Sequence, residues 1–357
     1  MKRILVAPLN WGLGHAARCI PIIKALERLA FIPVIASDGA ALEFLRKEFP
    51  QYESYVLPSY SIRYSKKGAQ LKWKLLMNSP KIMKAVMKEH KATKDLVLTQ
   101  QIDGIISDNR YGVRHDNIPS VFITHQITIK SGHTTRISSK INQLFINKFD
   151  ACWIPDVTGD HCLSGQLSGC ESLTIPTKHL GILSRFSFSQ VNPLYDLLIL
   201  LSGPEPQRSI LETHLLDQIH SYSGKVLFVR GIIERDQKRE VQDQLTIVNF
   251  LLSKELELAL NQSTTILARS GYSTILDLAK LQKKAFFIPT PGQTEQMYLA
   301  KKLEKDGIAP FAEQHNFSFE NLKLLERYSG FKAPYTEPNF EEILSFFKSE
   351  RELTSNA

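Results

Sequence analysis

Short apolar runs that read as buried strands alternate with helical stretches along this chain, and the series starts again after a polar linker. Ile4-Leu5-Val6-Ala7, Pro33-Val34-Ile35-Ala36, Gly104 to Asp108, Ser120 to Thr124 and Ala151 to Ile154 form the first series. Asp196 to Leu201, Gly224 to Val229, Thr265 to Ala268 and Ala285 to Pro289 form the second. Runs that are apolar throughout belong to strands covered on both faces, and strands alternating with helices build parallel sheets. The expectation is an α/β protein of two Rossmann-like, doubly wound parallel-sheet domains: 1–183, a linker at 184–194 (polar, with Pro193) and 195–337. A chain of 357 residues exceeds one ordinary core and suits two. Phe340 to Glu352 carries one apolar helical face, so residues 338–357 are expected to form a helix that braces the first domain.

Composition excludes several classes. Apolar content of 43% and charged content of 22% are globular values, not those of a disordered or fibrous chain. No apolar run approaches the roughly 18 residues of a membrane span, and Pro8 cuts the first run too short for a signal peptide. Four scattered cysteines suggest reduced thiols, hence a cytoplasmic protein. Cysteine and histidine spacing suggests no metal site, and no cofactor is expected. Of the net charge of +8, residues 1–183 carry +10 and residues 184–357 carry −2. The first half therefore suits an anionic partner.

Three motifs carry chemistry. Asn10-Trp11-Gly12-Leu13-Gly14-His15-Ala16-Ala17-Arg18 lies between the first strand and first helix, the ligand edge of a parallel sheet. Gly12 and Gly14 let a ligand approach backbone, the helix start offers N–H groups to an anion, and His15 is an imidazole that can take a proton. Gly12-x-Gly14-x-x-Ala17 with Asp38 also fits a loose dinucleotide fingerprint, leaving a nicotinamide oxidoreductase as one alternative. Ser202-Gly203-Pro204-Glu205-Pro206-Gln207-Arg208 opens the second series, where Gly203 and Arg208 would meet a diphosphate. The third motif is the most specific. Arg269-Ser270-Gly271-Tyr272-Ser273-Thr274-Ile275-Leu276-Asp277 precedes a strand, and Pro289-Thr290-Pro291-Gly292-Gln293-Thr294-Glu295-Gln296 follows it. A carboxylate on one helix can hold ribose hydroxyls, while an amide–acid–amide cluster suits a sugar that needs both donors and acceptors.

Residues 266–303 resemble the donor segment of glycosyltransferase family 28, which includes MurG-like N-acetylglucosaminyltransferases. The resemblance implies the GT-B fold and a nucleotide-sugar donor without a metal. It implies nucleotide contacts at Ser253, Arg269, Ser270, Gly271 and Asp277, with uracil against the backbone near Leu252 and Ser253. Gln293, Glu295 and Gln296 would read the hexose, and His15 would be the base. Asp277 stands where a glutamate is usual, and Pro204-Glu205-Pro206 replaces a Ser/Gly-rich loop. Gly14-His15-x-x-Arg18 also resembles nucleotide-sugar hydrolases of the pseudaminic acid pathway, in which the histidine would activate water.

Asp108 and His125 follow strands of the first series, where they would orient an acceptor or support His15. Residues 63–94 carry ten Lys/Arg against the single acid Glu89, interleaved with Trp73 and several Met and Leu. That surface suits a solvated helix face whose apolar side packs on the domain, with an anionic membrane and a lipid-linked acceptor as the alternative. No recognition module for nucleic acid accompanies the charge. The expected function is an inverting transfer of a hexose or N-acetylhexosamine from a UDP-sugar to a hydroxyl acceptor, at the cytoplasmic face of a membrane. The alternatives are UDP-sugar hydrolysis in the same cleft, the oxidoreductase, and a binder without turnover.

Overall fold

The computed structural model describes residues 1–60, 80–130, 134–169, 173–332 and 335–348. The first lobe runs β1 (Arg3–Pro8), α1 (Gly14–Arg28), β2 (Ile32–Ser37), α2 (Gly39–Glu48), β3 (Ser54–Val56), α3 (Pro80–Thr99), β4 (Gly104–Asp108), β5 (Ser120–Ile123), α4 (Thr135–Ile146), β6 (Ala151–Ile154) and β7 (Thr177–His179). The second runs β8 (Tyr195–Leu200), α5 (Gln207–Gln218), β9 (Val226–Val229), β10 (Arg239–Gln242), β11 (Leu245–Val248), α6 (Ser253–Asn261), β12 (Ser263–Ala268), α7 (Tyr272–Lys280), β13 (Lys284–Phe287) and α8 (Thr294–Lys305). The last α-helix among the described residues is α9 (Phe340–Leu344), followed by a 3-10 turn at Ser345–Phe347.

The first sheet has strand order β3-β2-β1-β4-β5-β6-β7 and is parallel throughout. Its inner strands are buried along their length, which is why they read as unbroken apolar runs. The second sheet has order β10-β11-β9-β8-β12-β13, with one antiparallel pair at its edge, β10 with β11. Each order reverses beside its first strand, between β1 and β4 and between β8 and β12. Ligands of open parallel sheets bind outside the carboxyl ends of strands at such a reversal. Register fixes what meets there. Pro8 pairs with Asp108, bringing that carboxylate beside the turn into α1. Leu200 pairs with Ala268, bringing Ser202-Gly203 beside Arg269-Ser270-Gly271.

Among the described residues the chain returns to the first lobe at its end. Ile343, Leu344 and Phe347 are buried in the main core, and Phe347 packs edge-on to Trp153 at 6.0 Å. Lys2 Nζ donates to the Phe347 carbonyl at 2.8 Å, and Lys178 pairs with Glu342. α9 is shorter than the spacing suggested, and the expected stretch beyond Lys348 lies outside the described residues. No helix among them is long and apolar enough to cross a membrane.

Candidate active site

After β1 the chain turns through Gly12, whose φ of +81° a side chain would strain, and enters α1 at Gly14. The start of α1 lies against the start of α7: Ser273 Oγ donates to the Gly14 carbonyl at 2.9 Å. A Cβ on Gly14 would stand 3.0 Å from that hydroxyl, so glycine permits the approach. The two lobes thus enclose a cleft at both reversal points. Gly12, Gly14, His15, Asn109, Tyr111 and His125 line it from one side; Ser202, Gly203, Gly271 to Thr274 and Gly292 to Gln296 line it from the other. The starts of α1, α7 and α8 all border it, and helix starts present N–H groups and positive partial charge.

At its centre is a line of hydrogen bonds. His15 Nδ1 lies 2.8 Å from Asp108 Oδ1, and Asp108 is completely buried. An ionised carboxylate only accepts, so the proton sits on Nδ1 and donates, leaving Nε2 as the basic nitrogen. Arg18 lies one helical turn beyond His15. Its guanidinium donates to Asp108 from Nε and Nη2. Nη2 also lies 2.9 Å from His15 Nδ1, but with the proton on Nδ1 both atoms are donors, so they meet through the shared Asp108 carboxylate and not by a hydrogen bond of their own. Burial alone would raise the Asp108 carboxyl, but Arg18 and His15 outweigh it and hold it well below the usual range. Arg18 Nη1 lies 3.1 Å from His125 Nδ1, and His125 Nε2 lies 2.9 Å from Glu295 Oε1, across the gap between lobes. Arg18 cannot accept, so His125 Nδ1 is the acceptor and its Nε2–H donates to Glu295. Burial, with Arg18 alongside, pushes the His125 imidazole below its ordinary value, which fits this neutral tautomer. The ring stacks on Tyr272, centroids 3.9 Å apart.

His15, Asp108, His125, Glu295, Gln293, Gln296, Gly12, Gly14, Gly203 and Gly271 therefore lie in the cleft or directly behind it. Five other expected contacts are placed differently. Arg208 does not reach the cleft wall, because Glu205 and Glu212 hold its guanidinium. Arg269 is buried among carbonyls of Gln207, Ile288 and Pro289, and burial lowers its guanidinium to about 9; it fixes the turns instead of meeting a nucleotide. Ser270 donates to the Gln296 carbonyl at 2.8 Å, behind the wall. Asp277 accepts from Ser184 Oγ of the linker at 2.6 Å, and burial raises its carboxyl to about 6. Ser253 gives both its N–H and its hydroxyl to Glu48 of the first lobe, each at 2.7 Å.

Asp38 is not open to a ribose either. Its carboxylate takes Arg110 Nη1 at 2.7 Å and Asn10 Nδ2 at 3.2 Å. The acidic contact required by the dinucleotide fingerprint is thus spent inside the first lobe. Sequence reasoning assigned no role to Arg18, the hub of the line. The available signal was its spacing of three from His15, which puts both on one helix face.

Comparison with known proteins fits this geometry. Residues 210–333 match the family model described as glycosyltransferase family 28 C-terminal domain. A curated relative from Haemophilus ducreyi, UDP-N-acetylglucosamine--N-acetylmuramyl-(pentapeptide) pyrophosphoryl-undecaprenol N-acetylglucosamine transferase, is 25% identical over 132 residues. That match takes 35% of this chain and 36% of the relative, about a third of its length. Among solved structures, the spinosyn rhamnosyltransferase SpnG superposes with a TM-score of 0.63 at 12% identity, over 98% of this chain and 95% of its own. The glycosyltransferase SnogD from Streptomyces nogalater gives 0.60 at 13% identity, over 91% of each chain. MurG from Acinetobacter baumannii gives 0.55 at 13%, over 98% and 99%. The chain has the fold of the GT-B glycosyltransferases, and its second lobe is similar to the family 28 C-terminal domain over residues 210–333.

Proposed function

We propose that this chain, which has the GT-B fold and a second lobe similar to the family 28 C-terminal domain, is an inverting glycosyltransferase that moves a hexose or N-acetylhexosamine from a UDP-sugar to a hydroxyl acceptor. The observation that carries the reading is the placement of His15, backed by Asp108, opposite Glu295 and Gln296 in a cleft bordered by three helix starts.

In this reading the sugar lies against Gln293, Glu295 and Gln296, and its diphosphate meets the starts of α1 and α7 with Gly203 and Gly271. The acceptor hydroxyl approaches from the side of Asn109 and Tyr111. His15 Nε2 takes its proton as the oxygen attacks the anomeric carbon from the face opposite the diphosphate. The bond from that carbon to the phosphate oxygen breaks and UDP leaves with the electron pair. Asp108 stabilises the imidazolium so formed, and the aligned N–H groups stabilise the charge on UDP. No metal is called upon.

A lipid-linked acceptor fits the outer side of the first lobe. Ile82, Val86, Ile141 and Phe145 pack α3 on α4, so the outer faces of these helices adjoin. They expose Met83, Met87, Ile137 and Leu144 beside Lys84, Lys88, Lys91, Arg136 and Lys140. Apolar side chains set among lysines suit anionic headgroups. The basic residues 63–79 lie outside the described residues.

The test combines binding and turnover. A thermal-shift panel of UDP-, GDP-, dTDP- and CDP-sugars should single out a UDP-sugar by the rise in melting temperature. With an acceptor present, His15→Ala should lower transfer by about 10²- to 10⁴-fold and leave donor binding in place. Full activity in that variant would remove His15 from the mechanism. Rapid UDP release with no acceptor present would convert the reading to hydrolysis.

A further inference from the structure

Arg18 touches Asp108, His15 and His125 at once, and His125 reaches Glu295 on the other lobe. The base and the sugar reader therefore share one guanidinium. We propose that Arg18 and His125 are positioning residues that tie the grip on the transferred sugar to the placement of the base. This inference rests on the reading of the cleft as a glycosyl-transfer site.

Each link follows from donor and acceptor chemistry. Arg18 has five N–H donors and no acceptor, so it fills the lone pair of His125 Nδ1 and leaves the ring proton on Nε2. From there His125 can only donate to Glu295 Oε1. That bond fixes one carboxylate oxygen and leaves the other for a sugar hydroxyl, because Glu295 itself lines the cleft. The same guanidinium holds Asp108 in the orientation that receives His15 Nδ1–H. The groups facing His125 are accounted for: Arg18 and His15 from α1, Glu295 from α8, and the ring of Tyr272 from α7. Any movement of Glu295 towards or away from a sugar must pass through His125 to Arg18. With the lobes apart the Glu295 link is broken, so the arrangement is complete only when both lobes close on the donor.

Two measurements test this, one of them independent of turnover. In ¹⁵N-histidine-labelled protein, a long-range ¹H–¹⁵N spectrum assigns the His125 tautomer, with His125→Gln identifying its signals. The expected result is a neutral ring protonated on Nε2 at neutral pH in the wild type. Arg18→Lys, which keeps a charge but cannot hold Asp108 and His125 Nδ1 together, should give mixed tautomers at His125. A ring protonated on Nδ1 in the wild type, or a tautomer indifferent to Arg18→Lys, overturns the proposal. In the kinetic arm, His125→Phe keeps the stack on Tyr272 and removes the donor. It should lower kcat by about tenfold to a hundredfold with binding of UDP alone unchanged. His125→Gln, whose amide can place N–H near the lost Nε2, should recover most of the loss. A kcat unaffected in His125→Phe, or no recovery in His125→Gln, overturns it as well. Failure of the wild type to bind any UDP-sugar in the thermal-shift panel would be a failure of the proposed function, and the tautomer result stands apart from it.

Discussion

At the scale of the residue, Asp277 carries two opposed demands. Its half-buried carboxyl accepts from Ser184 Oγ, yet burial raises it to about 6 against an ordinary 3.8. A group raised in the folded state binds more protons there than in the unfolded chain. Its ionisation therefore costs stability progressively as pH rises from about 4 to about 6, and the cost is constant above that. Asp277→Asn keeps an oxygen for Ser184 and removes the charge. It should raise stability at neutral pH by on the order of 1–2 kcal/mol after allowance for solvent screening, with no gain below pH about 4. If Asp277 also holds the ribose, the same variant should bind UDP-sugar more weakly while melting higher, as expected where a site is built at the expense of stability. Melting curves at two pH values with and without UDP-sugar measure both; equal melting temperatures for the two proteins at neutral pH would refute the electrostatic account. Legibility at this scale followed position. His15, Glu295 and Gln296 were readable because they stand just after strands, where parallel sheets bind ligands. Arg269 was not, because the carbonyls of Ile288 and Pro289 that occupy it become neighbours only in the fold. Arg208 was readable in principle: Glu212, four residues on, is its helical partner, and that spacing argued against a free cation.

At the scale of the element, α3 shows how a basic stretch divides. Ile82 and Val86 face the core, while Met83 and Met87, the latter 66% exposed, face outwards between lysines. The helix thus both packs on its lobe and keeps a second apolar stripe beside α4, where Leu144 is 59% exposed. Over residues 80–94 of the basic stretch, a face packed on the lobe and a basic, partly apolar face exposed to solvent lie on opposite sides of one helix, and the second is the side a membrane would have to use. Two exposed methionines with neighbouring lysines are expected to bind anionic vesicles weakly and in a salt-sensitive manner. Met83→Glu with Met87→Glu should abolish co-sedimentation with phosphatidylglycerol vesicles and leave the melting temperature nearly unchanged. Retained sedimentation would place any membrane contact elsewhere on the chain. Most inner strands were legible as apolar runs, but the inner strand β11, only four residues long and interrupted by Thr246, was not, and neither were β3, β7 and β10. β3 and β7 have three residues each at sheet edges, and β10 is exposed along its whole length, so neither length nor hydrophobicity marks them.

At the scale of the molecule, specific contacts among the described residues hold the two lobes together besides the bond from His125 to Glu295. Tyr272 donates to the Pro155 carbonyl at 2.9 Å, Ser273 to Gly14, and Lys47 to the Arg235 carbonyl at 2.7 Å. The linker residue Arg185 stacks between Phe44 of the first lobe and Phe186, at 5.2 and 4.7 Å. Glu48 stands apart, because it occupies the Ser253 N–H at the start of α6, where the resemblance to family 28 would put the uracil. A carboxylate from one lobe and a base held by the other then compete for the same donor. A closed molecule must exchange the Glu48 bond for the nucleotide, so part of the donor's binding energy is spent in displacing it. Glu48→Ala removes the competitor, and UDP should bind about threefold to tenfold more tightly, the equivalent of up to ~1.4 kcal/mol. The protein without UDP should melt lower, because a contact between lobes is lost. Calorimetric titration with UDP and a melting curve give both values. Unchanged or weaker UDP binding would mean that the base does not use the Ser253 N–H, and the nucleotide would then have to be placed nearer the starts of α1 and α7.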